Sequence, residues 1–152
     1  MLKLEWPLPA PVVAREDGIP GGALARPADG REYPVRDRIW LQLADGQQLG
    51  IVCPDAFAAE VTPDAVGLGG PTLRLTLLRS PLMAHHAPHA AQPERGQYAD
   101  WGQHAFRVQV WSGGSVSARH GALLDGVTLD AAARRLQRPP LTADLTRGMR
   151  QQ

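Results

Sequence analysis

The sequence has almost no cysteine, since Cys53 is the only one in 152 residues. A single cysteine cannot form a disulfide framework within the chain, and it cannot supply a zinc cluster built from several thiolates. Chains without disulfides are typical of reducing compartments. We therefore expect a cytoplasmic protein.

The chain also lacks a long hydrophobic run and an excess of charge of either sign. No apolar stretch approaches the ~18 residues of a membrane-spanning helix. The N-terminal MLKLEWPLPAP alternates and contains prolines, unlike the apolar core of a signal peptide. The 16 basic and 15 acidic residues are well mixed, for a net charge of +1. Because nucleic-acid-binding domains carry a one-sided basic surface, we expect neither a nucleic-acid partner nor a membrane partner.

Glycine and proline, in contrast, are abundant, with 16 and 14 residues. They divide the chain into short segments, many of which alternate apolar and polar residues as half-buried strands do. Strands are predicted at residues 2–8, 38–43, 49–53, 57–62, 65–68, 72–79 and 104–111. Asp45-Gly46 predicts a hairpin turn, and residues 128–138 predict the one convincing helix, capped by Thr128.

Two segments, residues 16–34 and 80–103, are predicted to be long loops, the first with one short strand at most. Loops of this length are usually functional or cover a neighbouring surface. The predicted fold is an all-β β-sandwich with long loops and one short C-terminal helix. It forms a single domain over residues 1–141, followed by a polar tail at 142–152.

The strand at TLRLTLLRSP (72–81) ends unusually, because its apolar face of leucines continues to Arg79. The ordinary interpretation is that Arg79 caps the strand and pairs with an acid in a neighbouring loop. The alternative is that Arg79 faces a ligand or another domain at the rim of the sandwich.

Catalytic and metal-binding patterns are weak. His85, His86 and His89 could offer imidazoles to a metal, but no cysteine is near to complete a zinc site, and a solvated loop is the ordinary interpretation. Asp55 and Asp100 could form the carboxylate pair of a glycosidase, although any two of the 15 acidic residues could be proposed equally well.

Neither a nucleophilic serine nor a phosphate-binding loop is indicated, because the chain has no G-x-S-x-G motif and no usable glycine-rich phosphate motif. Trp101 lies in a predicted loop between Asp100 and Gly102. It could stack on the face of a sugar, or it could close the end of the sandwich.

Several motifs occur in a familiar order. LRLTLLRSP (73–81) is followed by a long loop and then by D-x-G-x-H-x-F at 100–106, while I-P-x-G-x-x-x-R-P precedes both at 19–27. Over residues 2–141 the chain resembles the C-terminal β-region of the α-mannosidases of glycoside hydrolase family 38. It departs from that family in CPDAFAAEV, which keeps only Asp55 and Phe57 of the family's pattern, and in RVQVWSGG after Phe106.

The resemblance implies a supersandwich-like β-sandwich that packs on an N-terminal catalytic domain. In the family, that domain holds the zinc ligands and the aspartate nucleophile for retaining hydrolysis, and no motif in this chain matches them. The resemblance therefore implies a fragment or free-standing relative of the β-region that is inactive alone. It implies no cofactor in this chain, zinc in the catalytic domain, and two partners: that missing catalytic domain and a mannose-containing carbohydrate.

Two other functions stay open: an independent carbohydrate-binding module and a structural interaction domain. No catalytic residue and no metal ligand is predicted within the chain. The residues predicted to contact carbohydrate or a neighbouring domain are Arg79, Asp55, Asp100, Trp101 and His104.

Overall fold

The computed structural model of the chain describes residues 1–65, 70–79, 102–113 and 129–137. These ranges form nine strands and one helix. The strands are β1 (Leu2–Pro7), β2 (Val12–Ile19), β3 (Gly22–Ala25), β4 (Glu32–Pro34), β5 (Arg38–Leu43), β6 (Gln48–Val52), β7 (Ala58–Ala65), β8 (Gly70–Leu78) and β9 (Gln109–Gly113), and the helix is α1 (Leu129–Gln137). The tail at 142–152 and the histidines of the 80–103 segment lie outside the described residues.

The strands form two antiparallel sheets. One has four strands in the order β1-β8-β7-β4, and the other has five in the order β3-β2-β5-β6-β9. Leu41 and Ile51 of the five-stranded sheet share one hydrophobic core with Val61 and Leu75 of the four-stranded sheet. The two sheets therefore pack face to face, and the predicted all-β sandwich is confirmed.

Strand β8 shows how alternation builds this core. Leu73, Leu75 and Leu77 are all buried between the sheets. Arg74, between two of these leucines, is on the opposite face and pairs with Glu60 at 2.8 Å. The period of two in TLRLTLL thus becomes one apolar and one polar face, as the sequence predicts.

Helix α1 forms a third layer on the outer face of the five-stranded sheet. Its Leu129 and Ala133 pack on Trp40 and Val52 in a second hydrophobic cluster. A side chain at Gly50 would lie 2.6 Å from Leu129 Cδ2, so this glycine makes room for the helix. α1 has neither the length nor the apolarity of a membrane-spanning helix, and it is the one helix in the described ranges.

An ion pair lies inside the sandwich. Arg15 donates to Asp17 from Nε at 2.8 Å and from Nη2 at 2.6 Å, and both side chains are fully buried. Arg15 also donates to the carbonyl of Ala59 on the opposite sheet at 3.0 Å. Its guanidinium and that of Arg26 lie 5.5 and 5.0 Å from the centre of the Tyr33 ring. This pair therefore links the two sheets through polar contacts.

The predicted hairpin at Asp45-Gly46 is confirmed. It joins β5 to β6, and Gly46 has a φ of 85°, which favours glycine. Asp45 accepts a hydrogen bond from the Gln47 N–H at 2.9 Å. The register that follows pairs Leu41 with Leu49.

The prediction of a long loop over residues 16–34 is wrong. This segment contains the second half of β2, all of β3 and all of β4. Charged Arg15, Glu16 and Asp17 obscure the apolar alternation of β2, because the buried pair occupies positions that an apolar residue normally takes. The turn at Gly21, with a φ of 85°, then returns the chain as β3.

Two other boundaries differ from the predictions. One strand, β7, runs through Pro63 where two were predicted, because a register shift between Thr62 and Ala65 accommodates the proline. The strand predicted at 104–111 begins only at Gln109. The Arg107 N–H donates to the carboxylate of Asp55 at 3.0 Å.

Candidate functional site

An open cleft of about 360 Å³ lies where three distant segments of the chain meet. These segments are the loop after β6, the end of β8 and the segment that precedes β9. We call it the Asp55 cleft, and its lining residues are Pro54, Asp55, Ala56, Phe57, Leu77, Leu78, His104 and Phe106.

Backbone hydrogen bonds fix the loop that carries Asp55. Cys53 N–H donates to the carbonyl of Asp37 at 2.8 Å, and Ala56 N–H closes a turn on the carbonyl of Cys53 at 3.2 Å. Phe57 N–H then donates to the carbonyl of Thr76 in β8 at 2.9 Å. Cys53 is buried, and this burial raises the pKa of its thiol. The hydrogen bonds of the loop hold Asp55 on a tight turn that is anchored to both sheets.

Arg107, in the segment before β9, holds Asp55 by three hydrogen bonds. Its backbone N–H and Nε donate to Asp55 Oδ2 at 3.0 and 3.1 Å, and Nη2 donates to Oδ1 at 2.9 Å. Nη1 donates to the carbonyl of Leu136 at the end of helix α1, at 2.7 Å. Arg107 therefore ties the Asp55 turn, the segment before β9 and the helix terminus together.

The Arg107 hydrogen bond keeps the pKa of Asp55 below its ordinary value, because a guanidinium favours the ionised carboxylate. The same contact raises the pKa of Arg107. At neutral pH, Asp55 is therefore an ionised hydrogen-bond acceptor. A carboxyl group in this state is a poor general acid.

Aromatic rings border this polar pair. The rings of His104 and Phe106 are stacked, with centroids 6.2 Å apart and planes 13° from parallel. Phe106 also packs against the sandwich core. Phe57, which also lines the cleft, is 57% exposed, which is high for a large apolar residue. The cleft thus combines apolar ring surface with a carboxylate that Arg107 fixes, a combination that suits a ligand with one apolar and one hydroxyl-rich side.

Two of the residues predicted from the sequence, Asp55 and His104, line this cleft together. Asp100 and Trp101 lie outside the described residues. Arg107 was missed. Its one signal in the sequence is that a basic residue follows Phe106, at a point where the chain departs from the α-mannosidase pattern.

Arg79 lies apart from the cleft lining and pairs with Glu32 of β4. Glu32 also accepts from Thr76 and lies 3.5 Å from Lys3, on the outer face of the four-stranded sheet. Because Arg79 follows the last residue of β8, the alternation of the strand does not fix its direction. The ordinary interpretation of Arg79 as a pairing residue at a strand end agrees with this contact, although its partner is on a strand and not in a loop.

The described part of the chain contains no group of three or more histidine, cysteine, aspartate or glutamate residues that could hold a metal ion. The histidines at 85, 86 and 89 are outside it. Comparison with protein-family models, with curated proteins and with solved structures finds no match to this chain.

Proposed function

We propose that this chain is a β-sandwich domain of a glycoside hydrolase of the α-mannosidase class. It supports an N-terminal catalytic domain, contacts a mannose-containing carbohydrate through the Asp55 cleft, and does not hydrolyse glycosides by itself. The observation that carries this proposal is that three separate stretches, each of which keeps residues of the family pattern, converge on one cleft. These stretches are CPDAF with Asp55, LRLTLLRSP with Leu77, and D-x-G-x-H-x-F with His104.

The chemistry of the cleft suits a sugar. A pyranose ring has an apolar face that packs on aromatic rings and hydroxyl groups that need hydrogen-bond partners. Phe57 and Phe106 supply ring surface, and the ionised Asp55 can accept from hydroxyl groups with the lone pairs that Arg107 leaves free. Because the turn and Arg107 already fix Asp55, binding requires little ordering of that side chain.

A supporting role fits the cleft better than a catalytic one. Glycosidases that act through acid and nucleophile or base need two carboxyl groups across the scissile bond. Asp55 is the one carboxylate among the described residues that line the cleft. Since its pKa is held low and both of its oxygens are bonded to Arg107, it is suited to binding and orientation.

Exposed apolar groups favour a neighbouring domain in the intact protein. Phe57 is more than half exposed, and Trp6 on the edge strand β1 is 42% exposed. A partner domain would cover such surface. Since Phe57 lines the Asp55 cleft, the rim of this cleft is the surface proposed to contact the catalytic domain and its substrate.

The decisive experiment adds the purified chain in trans to an α-mannosidase catalytic region that lacks its own β-region. Hydrolysis of an aryl α-mannoside is followed with zinc present. We expect no turnover by the chain alone and an increase in kcat/KM for the mixture. Turnover by the chain alone would contradict the supporting role, and an unchanged kcat/KM would contradict the assignment of the partner.

Calorimetric titration with methyl α-mannoside tests the cleft separately. We expect millimolar binding that Phe57→Ala weakens about fivefold, as loss of one aromatic contact predicts. Val13→Ala is a matched control, because Val13 is 61% exposed and does not line the cleft. Equal binding by both variants would exclude the Asp55 cleft as the carbohydrate site.

An independent carbohydrate-binding module is the second candidate. It is favoured because the cleft already places the rings of Phe57 and Phe106 beside the ionised carboxylate of Asp55, the groups that a sugar contact needs. Mannoside binding by the isolated chain, together with no effect on the catalytic region in trans, would support this function over the supporting role.

A further inference from the structure

A second cleft, of about 320 Å³, lies on another part of the molecule between the β2–β3 turn and helix α1. Gly21 and Gly22 of the turn form one side of it, and Arg36, Arg38 and Arg134 extend into it from two other segments. We call it the arginine cleft. No residue lines both this cleft and the Asp55 cleft.

Arg38 is fixed at the base of the arginine cleft. It lies 3.1 Å from Asp37 and 2.7 Å from Asp130 of helix α1, and it donates to the carbonyl of Gly22 at 3.1 Å. Gly18 permits this packing, because a Cβ there would lie 2.5 Å from Asp37 Oδ1. Arg38 thereby engages both carboxylates of the cleft and holds the helix against the β2–β3 turn.

The other two arginines are left with unused donors. Arg36 is 53% exposed, and its nearest carboxylate, that of Asp37, is 3.9 Å away. The side chain of Arg134 is exposed and makes no hydrogen bond or ion pair with another residue of the described ranges. Three guanidinium groups against two carboxylates give the cleft a surplus of one positive charge.

We propose that the arginine cleft binds a small oxyanion, a phosphate or carboxylate group, between Arg36 and Arg134. A guanidinium presents its N–H groups in a planar fork that matches the oxygen atoms of such anions. Arg38 cannot compete for the anion in the same way, since Asp37 and Asp130 already occupy it. This site is independent of the proposed carbohydrate function and of the Asp55 cleft.

The test is a titration of the full chain with inorganic phosphate at low ionic strength, followed by amide NMR shifts. We expect saturable shifts at Gly21, Gly22 and Arg36, with a dissociation constant in the millimolar range. A parallel titration with acetate distinguishes the sources: tighter phosphate binding indicates a phosphate-bearing ligand, and tighter acetate binding indicates a carboxylate.

The variant Arg36→Gln/Arg134→Gln should weaken binding at least about tenfold, since charge-assisted hydrogen bonds to both groups are lost. Arg135→Gln is the matched control, because Arg135 is exposed, follows Arg134 on the same helix and does not line the cleft. Both substituted positions are exposed, and a thermal denaturation curve checks that the double variant is folded. Equal weakening by Arg135→Gln, or no saturation with either anion, would overturn the proposal.

Discussion

Two arginine–aspartate pairs in this protein have similar bonding and opposite surroundings. Arg15 binds both oxygens of Asp17 inside the sandwich, with both side chains fully buried. Arg107 binds both oxygens of Asp55 at the surface, where the arginine side chain is 49% exposed and the aspartate 25%. The same pair of groups thus occurs once between the sheets and once at a cleft.

The surroundings reverse the effect on the carboxyl group. Burial raises the pKa of Asp17, even though hydrogen bonds from Arg15 act to lower it. The hydrogen bond from Arg107 lowers the pKa of Asp55, where desolvation is the smaller contribution. Identical partners therefore give a carboxylate that is costly to ionise in the core and one that remains ionised at the surface.

This difference assigns the two pairs different roles. Asp17 lies opposite Ile39 in the register of β2 and β5, at a position where an apolar residue would pack without desolvating a charge. A slip of β2 by one residue would turn both charges out of the core. We infer that the inner pair specifies the register of β2, whereas the outer pair holds the Asp55 cleft in shape.

The largest effect is expected from breaking the inner pair. Arg15→Met leaves the carboxylate of Asp17 buried without a counter-ion, and we expect a loss of about 3–5 kcal/mol in the free energy of unfolding at neutral pH. Urea denaturation followed by tryptophan fluorescence measures it. The double variant Arg15→Met/Asp17→Leu should recover most of the loss, because no charge is then left buried. A loss below about 1 kcal/mol for Arg15→Met would contradict a buried ion pair.

An intermediate effect is expected at the outer pair, and it depends on pH. Because the folded pKa of Asp55 is lowered, its stabilisation is present above its unfolded pKa of about 3.9 and is lost as pH falls through the folded value. Asp55→Asn should therefore cost about 1 kcal/mol at neutral pH and close to nothing in strong acid. Denaturation curves at both pH values measure this difference.

The pH dependence of stability expected from Asp17, in the inner pair, has the opposite sign. Because burial raises the folded pKa of Asp17, protonation of this carboxyl favours the folded state. The resulting stabilisation is fully present below the unfolded pKa of about 3.9 and is lost as pH rises through the folded value. If Asp55→Asn cost the same at neutral pH and in strong acid, the ion pair with Arg107 would not be the source of its stabilisation.

The smallest effect is expected at Arg79, whose side chain is 52% exposed. Arg79→Ala removes one exposed ion pair with Glu32, and we expect a change of at most about 0.5 kcal/mol in the free energy of unfolding. Arg31→Ala is the control, since Arg31 is 81% exposed and lies 3.7 Å from Asp29. Thermal denaturation of both variants measures it, and unfolding of Arg79→Ala would mean that this arginine is essential to the sheet.

The parts of the fold predictable from the sequence are those whose side chains follow one simple pattern. β5 was predicted with its observed bounds, and the predicted helix at 128–138 contains α1, because alternation and capping signals are local. β2 was missed because charged residues such as Arg15 and Asp17 normally indicate a solvent-exposed segment. Only the structure shows that the two form an ion pair in the core.

The candidate site was predictable only in part, for a related reason. Asp55 and His104 could be chosen by residue type and by the family resemblance. Arg107 could not, because it acts on Asp55 across 52 positions of sequence, and a single sequence carries no distances. Residue type thus indicates which groups can do chemistry, whereas the sheet topology decides which of them meet.

The position of β1 has a consequence for how the protein assembles on the ribosome. Within the described strands, β1 pairs with β8 alone, and Leu2 lies opposite Leu78. This pairing can form only after Leu78 has been translated. The β2–β3, β5–β6 and β7–β8 pairs close between strands that are consecutive in the chain and can form earlier. Until β8 emerges, Lys3, Glu5 and Pro7 discourage the nascent strand from pairing with another chain. We therefore expect β1 to be among the last strands to join its sheet during synthesis.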